Sequence, residues 1–362
     1  VRAVVKVGTS SITHDGGRLN RDAMVKLVGE IGDLRAAGHE VVLVSSAAIA
    51  AGMAHLGLAE RPRDFAALQA LSAVGQVQLM KCYGELASEQ DMVVGQVLVA
   101  PPDFFARGRY LRARSCIEQQ LAMHVLPIVN ENDAVADDAI RFGDNDRIAA
   151  LVAHLVSADI LVLLTDTAGL LTADPKVDAS AALIEEVAAV DSELEALAGG
   201  STTTMAQGGM SSKISAAKIA SFSGVETVIA AAARVNVLTD VLGGVAGVGT
   251  RVLARDTNMS ARKLWIAFAL ASCGRVEVDA GAQRAVLANG SSLLPVGVTG
   301  VDGDFVAGDA VEVSGPDGVA FARGLTRLSS SEVRAAAGRR TQDLDEHQNE
   351  VINRDDLALL PT

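Results

Sequence analysis

Six short runs in this 362-residue chain place groups that can hold phosphate beside residues suited to strand and helix ends. The first is Val4-Val5-Lys6-Val7-Gly8-Thr9-Ser10, with a lysine inside an otherwise apolar stretch. Buried lysines want an anionic partner, so Lys6 needs either such a partner or a strand edge from which its ammonium reaches water. The second, Ser45-Ser46-Ala47-Ala48-Ile49-Ala50-Ala51-Gly52, runs from a strand into small residues that open a helix. Small side chains there let an anion approach free backbone N–H groups, or simply let two elements pack closely. The third, Asn130-Glu131-Asn132-Asp133, follows an apolar strand and sits where open α/β sheets bind ligands, with a turn or cap as the plain alternative. The fourth, Phe142-Gly143-Asp144-Asn145-Asp146, has more polar groups than one helix cap uses. The fifth is the strand end Leu164-Thr165-Asp166. The sixth is Gln207-Gly208-Gly209-Met210-Ser211-Ser212-Lys213, where backbone and hydroxyl donors and one point charge open a helix, a combination that suits phosphate. Two lysines distant in sequence, anion-binding helix starts and acid or amide clusters at strand ends describe a phosphoryl-transfer site.

Other chemistries find no support in the sequence. The six histidines show no HExxH or HxH spacing, so no protein-held metal site is expected; GxSxG and Walker A motifs are absent. Gly243-Gly244-Val245-Ala246-Gly247-Val248-Gly249 follows no strand signal and opens no helix signal, and reads as a connection rather than a dinucleotide loop. Arg107, Arg109, Arg112 and Arg114 read as a solvated or intersubunit basic face.

Those runs must be positioned by elements. Near-continuous Val, Leu and Ile predict strands over Ala3–Val7, Glu40–Ser45, Val93–Val99, Val125–Asn130, Asp159–Thr165 and Val225–Ala230, covered on both faces. Helical patterns fall at Arg21–Ala37, Asp64–Ser88, Arg112–Met123, Asp144–Val156 and Gly209–Ser223, with a polar hairpin expected at Ala134–Phe142. The alternation predicts an α/β fold, a mostly parallel open sheet sandwiched by helices, over residues 1–254. Residues 255–274 read as a linker, and short alternating strands with Gly-rich turns predict a small, mainly β module over 275–362.

The formal charge of −13 argues against a general nucleic-acid binder, and the last module is itself more acidic than basic. Cys82, Cys116 and Cys273 are far apart, which fits a reducing, cytoplasmic setting and excludes a disulfide framework. No apolar run approaches the ~18–20 residues that span a bilayer, and no secretory leader pattern opens the chain at Val1.

Taken in order, VVKVGTS, SSAAIAAG, IVNENDAVA, IRFGDNDRIAALVAHL, LLTDTAGLLTADPK and GGMSSKISAAK resemble the amino acid kinase superfamily over essentially the whole chain. The pairing of NENDAVA with FGDNDR resembles its glutamate-kinase branch, and the last module, with Gly290-Ser291-Ser292-Leu293-Leu294-Pro295-Val296-Gly297, resembles a PUA domain. The resemblance implies that Lys6 and Lys213 are catalytic cations and that Ser46, Asp133 and Asn145 bind the amino-acid substrate. It also implies that Lys6, Thr165, Asp166, Gln207, Gly208, Gly209, Met210, Ser211, Ser212 and Lys213 bind ATP. Within that assignment Asp133 accepts the α-ammonium while Ser46 and Asn145 donate to carboxylates. The implied reaction converts L-glutamate and ATP, with Mg²⁺, to L-glutamyl 5-phosphate and ADP, the first step of proline synthesis. Inhibition by proline and a homo-oligomer, dimer or tetramer, are further implications. The chemistry is consistent: a carboxylate nucleophile with a reference pKa near ~4.3 is ionised at neutral pH and needs no general base. What it needs is in-line positioning and positive charge on the γ-phosphoryl oxygens.

The family usually has Gly at the position of Ala47, Gly-Thr at Ala206-Gln207 and Asn at Arg112. A left-handed backbone at Ala47 would be strained by about 1–2 kcal/mol, and an active but impaired kinase is expected. The alternatives that stay open are a related kinase acting on another acid such as acetylglutamate, and an impaired regulatory or RNA-associated paralogue.

Overall fold

A computed structural model describes residues 1–360 apart from 101, 136–144, 174–177, 179, 200–208, 257–258, 271, 341 and 343–348. The chain divides into two compact units, Val1–Asn258 and Met259–Thr362.

The first unit is built on eight strands: β1 Arg2–Val7, β2 Glu40–Val44, β3 Val93–Val99, β4 Val125–Glu131, β5 Ile160–Thr165, β6 Glu186–Val187, β7 Glu226–Ala231 and β8 Thr250–Val252. They lie in the order β3-β4-β2-β1-β5-β7-β8-β6. The strands β3, β4, β2, β1, β5 and β7 run parallel, with Lys6 of β1 opposite Val44 and Leu163. β8 is antiparallel to β7, so Thr250–Val252 belongs to this sheet although the sequence pattern already changes there. Every residue of β5 is buried, as are all but the first of β1 and β2, which explains the unbroken apolar runs: both faces are covered.

The covering helices are α1 Thr9–Ile12, α2 Arg21–Ala36, α3 Ala48–His55, α4 Phe65–Ser88, α5 Pro102–Phe105, α6 Arg107–Ala122, α7 Asn145–Leu155, α8 Ser192–Gly199, α9 Met210–Phe222 and α10 Val237–Leu242. Asn20 and Asp64 cap α2 and α4 through their side chains. The helix expected from Arg112 begins at Arg107 instead. Met24, Leu27 and Ile31 of α2 and Leu79 and Tyr83 of α4 join Val5, Leu43 and Ile128 in one core. The glycine run 243–249 caps α10 at Gly243 and leads into β8.

Parallel strands bring their C-terminal ends to one edge. Lys6, Ser45-Ser46, Asn130-Glu131 and Thr165 therefore line the same side of the sheet, where the helix starts of α3 and α7 also arrive.

In the second unit, α11 Ala261–Leu264 and a π-helical turn at Trp265–Ala269 precede β9 Gly274–Val278, α12 Ala280–Asn289, β10 Val298–Gly303, β11 Ala310–Ser314, β12 Ala320–Thr326, α13 Ser330–Ala336 and β13 Ile352–Leu359. The strand order is β10-β9-β11-β12-β13, with its own core around Val276, Val311, Phe321 and Ile352. Beside the expected strands this unit holds two helices, α12 and α13, that the alternating pattern does not announce. The latter has a capping box, with Ser329 and Glu332 bonding each other's backbone N–H.

Candidate active site

The partner that a buried Lys6 demands is Asp146. Its Oδ1 lies 2.6 Å from Lys6 Nζ, and its Oδ2 lies 3.2 Å from Lys213 Nζ. All three are buried: Asp146 is 0% exposed, Lys6 and Lys213 4% each. The Ser212 hydroxyl donates to Asp146 Oδ2 at 2.6 Å. Burial by itself would raise the Asp146 carboxyl, but the Lys6 and Lys213 ammoniums and the Ser212 hydroxyl outweigh it and hold the group below the ordinary carboxylate range. Two ammoniums flank one carboxylate beside the start of α9. Fixed cations at a low-dielectric edge are what a transferring phosphoryl group requires.

The sequence flagged the run containing Asp146 but did not single that residue out. The signal was present: a strand lysine with no nearby acid in sequence, and an acid inside an apolar helical pattern at a strand-edge ligand position. Lys6 and Asp146 come from β1 and the first turn of α7, and only the sheet order brings them together.

A second polar group adjoins the first. Asn145 Nδ2 donates to Ser46 Oγ at 3.0 Å and to Asn130 Oδ1 at 3.2 Å. Asn130 Oδ1 also accepts from the Glu131 backbone N–H at 2.9 Å, and its Nδ2 donates to Gln76 Oε1 at 2.9 Å. Both donor hydrogens of Asn145 are thus occupied within the protein, so the atom it offers a ligand is Oδ1, an acceptor. The donor role read for Asn145 from the sequence is not the one this geometry favours. Asp133, in a 3-10 turn at Asp133–Val135, accepts from Ser72 Oγ at 2.8 Å. Burial raises its carboxyl above the ordinary range, against the opposing effects of the Ser72 hydroxyl and the Arg61 charge. Gln76 and Ser72, both on α4, are absent from the sequence-derived site; a long helical run offers no local mark that separates them from core positions.

Helices α3 and α4 pack unusually closely to bring these groups together. A Cβ on Gly75 would fall 1.7 Å from the Ala48 carbonyl oxygen, and one on Gly52 would fall 2.0 Å from that of Leu71. Between Ser46 and α3, Ala47 caps the helix in the left-handed region at φ 80, ψ 7. The strain expected there is thus present in the backbone.

At the end of β5, Thr165 Oγ1 donates to Asp166 Oδ1 at 3.0 Å; Thr165 is buried and Asp166 exposed. Gly209 caps α9, with open space where a Cβ would stand, and Met210, Ser211, Ser212 and Lys213 form the helix's first turn. Gln207, Gly208, Ala206, Asp144 and most of the expected hairpin lie outside the described residues. Arg107, Arg109 and Arg112 are exposed on α6, and Arg109 and Arg114 pair with Asp103 and Glu118. The five described groups named for the substrate and the lysine pair thus gather at one sheet edge: Lys6, Lys213, Ser46, Asp133 and Asn145 are linked there through Asp146, Asn130 and Ser72 or lie beside them.

Comparison with known proteins adds an independent line. Residues 1–231 match the amino acid kinase family, and residues 274–347 match the PUA domain. A glutamate 5-kinase of Burkholderia multivorans is 46% identical over 364 residues, covering 99% of this chain and 98% of the relative. A glutamate 5-kinase of Moorella thermoacetica is 45% identical, covering 99% of this chain and 96% of the relative. Among solved structures, a carbamate kinase from Giardia lamblia bound to AMP-PNP superposes with a TM-score of 0.50 at 18% identity, over 70% of this chain and 98% of that one, a likeness of fold.

Proposed function

The chain belongs to the amino acid kinase family, and from that premise we propose that it transfers the γ-phosphoryl group of ATP to the side-chain carboxylate of L-glutamate. The products are L-glutamyl 5-phosphate and ADP, and the step opens proline biosynthesis. The observation that carries this reading is the buried Lys6–Asp146–Lys213 cluster beside the Ser46–Asn145–Asn130 amide chain, cation and polar pocket on one sheet edge.

The mechanism follows from the residues. The glutamate carboxylate attacks phosphorus directly, because it is ionised at neutral pH and no proton has to be removed. Lys6 and Lys213 supply charge to the γ-phosphoryl oxygens, and Asp146 fixes both ammoniums in place before the substrates arrive, so little reorganisation remains for the reaction. The free N–H groups at the start of α9, with Gly209, Ser211 and Ser212, receive the ATP phosphates. Gln207 and Gly208 complete this loop in the proposal. Thr165 and Asp166 line the nucleotide. Asp133 takes the α-ammonium and Ser46 and Asn145 complete the amino-acid pocket, whose acceptors match a free ammonium and not an acetamide.

Mg²⁺ fits this edge. Asp166 is an exposed carboxylate at the β5 end beside the Thr165 hydroxyl, and hard oxygens of this kind, together with the phosphates of ATP, are the ligands Mg²⁺ takes. Bound with the nucleotide, the ion supplies further positive charge to the phosphates. Inhibition by proline, assembly into a homo-oligomer and a cytoplasmic location complete the reading, as the resemblance to the glutamate-kinase branch implies. An acidic chain, net −13, supports a small-molecule enzyme over an RNA-associated one. Among the described residues no helix is long and apolar enough to cross a membrane.

ADP release measured with L-glutamate, D-glutamate, L-aspartate and N-acetyl-L-glutamate tests the assignment. L-Glutamate should be strongly preferred; preference for the acetylated acid would reassign the substrate.

A further inference from the structure

The amide chain beside the lysines has a direction, and two groups outside the catalytic residues hold it, the Glu131 backbone N–H and Gln76. Asn130 is pinned at both ends of its side chain: Oδ1 accepts from the Glu131 backbone N–H, a donor that cannot turn around, and Nδ2 donates to Gln76 Oε1. With Oδ1 of Asn130 so oriented, Asn145 must present Nδ2 to it, which turns Asn145 Oδ1 the other way. Asn145 Oδ1 is buried and has no hydrogen-bond partner among the described residues, and the same holds for Gln76 Nε2. An orphaned buried acceptor is costly in an empty pocket and finds its compensation in a ligand donor. Gln76 is itself only 8% exposed, held in α4.

We propose that Gln76 is a positioning residue for the amino-acid substrate: together with the Glu131 backbone N–H it anchors Asn130, and through Asn130 the Asn145 amide, so that Asn145 Oδ1 faces the α-ammonium. This rests on the reading of the site as an L-glutamate pocket. Without the acceptor at position 76, Asn130 Nδ2 loses its partner and Asn130 is held at Oδ1 alone, so the Asn145 amide is anchored less firmly and its Oδ1 faces the ammonium for only part of the time. The effect belongs to binding of the ammonium and not to the phosphoryl step or to the nucleotide.

Gln76→Met keeps length and bulk and removes the acceptor; Gln76→Glu keeps an oxygen that can accept from Asn130 Nδ2 whether or not the carboxyl is protonated. The full-length enzyme and both variants are compared for KM of L-glutamate, KM of ATP, kcat, and Ki of glutarate, which has both carboxylates and no ammonium. The expected result is a roughly tenfold rise in KM for L-glutamate in Gln76→Met, as for one weakened ammonium hydrogen bond. KM for ATP, kcat and the glutarate Ki should each stay within about twofold of the parent, and Gln76→Glu should recover most of the loss. Parallel weakening of L-glutamate and glutarate, as a general packing defect would give, overturns the inference while leaving the functional reading intact. An unchanged KM in Gln76→Met overturns it equally. A parent enzyme that turns over no L-glutamate overturns both.

Discussion

Asp146 faces two ammonium groups with one carboxylate, at 0% exposure, so its charge matters more than its volume. Asp146→Asn keeps the shape and removes the countercharge, leaving two buried cations without it. Breaking a buried pair in this way costs on the order of 3–5 kcal/mol, and urea unfolding should report a loss of about that size. Turnover should fall by about 100-fold in the same variant, since the ammoniums are no longer held where charge develops. The sign of the pH effect follows from the depressed Asp146 carboxyl: its stabilising contribution is present above the ordinary carboxylate value and disappears as pH falls through the lowered one. Asp133 behaves oppositely. Burial raises its carboxyl, so the folded protein favours the protonated form, and that preference is lost as pH rises through the raised value. Only ionised Asp133 attracts an ammonium, so KM for L-glutamate should climb as pH is lowered from neutrality through the raised value, sooner than an ordinary carboxylate would make it climb. Initial rates across that range check this, and Asp133→Asn should show a high KM with a flattened profile.

At the scale of elements, the site depends on how α3 leaves β2 and meets α4. Ala47→Gly relieves a left-handed alanine at φ 80, although glycine returns part of the gain as entropy of the unfolded chain. A net stabilisation of up to about 1 kcal/mol is expected, with higher turnover if the methyl group crowds the phosphoryl path; unchanged turnover would refute the crowding. Gly75→Ala forces a methyl into the Ala48 carbonyl and should destabilise by about 3 kcal/mol. It should also raise KM for L-glutamate, because α4 carries Ser72 and Gln76; thermal unfolding and kinetics together check both effects. The same elements mark what was readable beforehand. Apolar runs such as ILVLLT declare a strand buried on both faces, and β1, β2, β3, β4, β5 and β7 stand within a residue or so of their expected bounds. Polar clusters after such strands declare the ligand edge, since parallel strands share a C-terminal side. The α3–α4 contact could not be read, because glycines at 52 and 75 say that something approaches closely without saying what. Helix α12, AGAQRAVLAN, is short with only Val286 fully buried, too weak a pattern to separate from the Gly-rich turns around it. Asp146 is hidden for a different reason: the packing of α7 against β1 is a property of tertiary topology, which local pattern does not carry.

Over the whole molecule, an acidic chain concentrates its useful cations at one sheet edge. Net charge governs solubility and discourages bulk polyanions, whereas a cleft with two fixed ammoniums can still attract ATP. The second unit has its own sheet and core and contributes none of the described catalytic groups. Acyl-phosphate formation by the intact enzyme is the direct test of this chemistry. With ATP, Mg²⁺ and hydroxylamine, a hydroxamate should form from L-glutamate, be abolished in Lys6→Ala, and not form from N-acetyl-L-glutamate; absence of hydroxamate with L-glutamate, or its persistence in Lys6→Ala, would overturn the assignment.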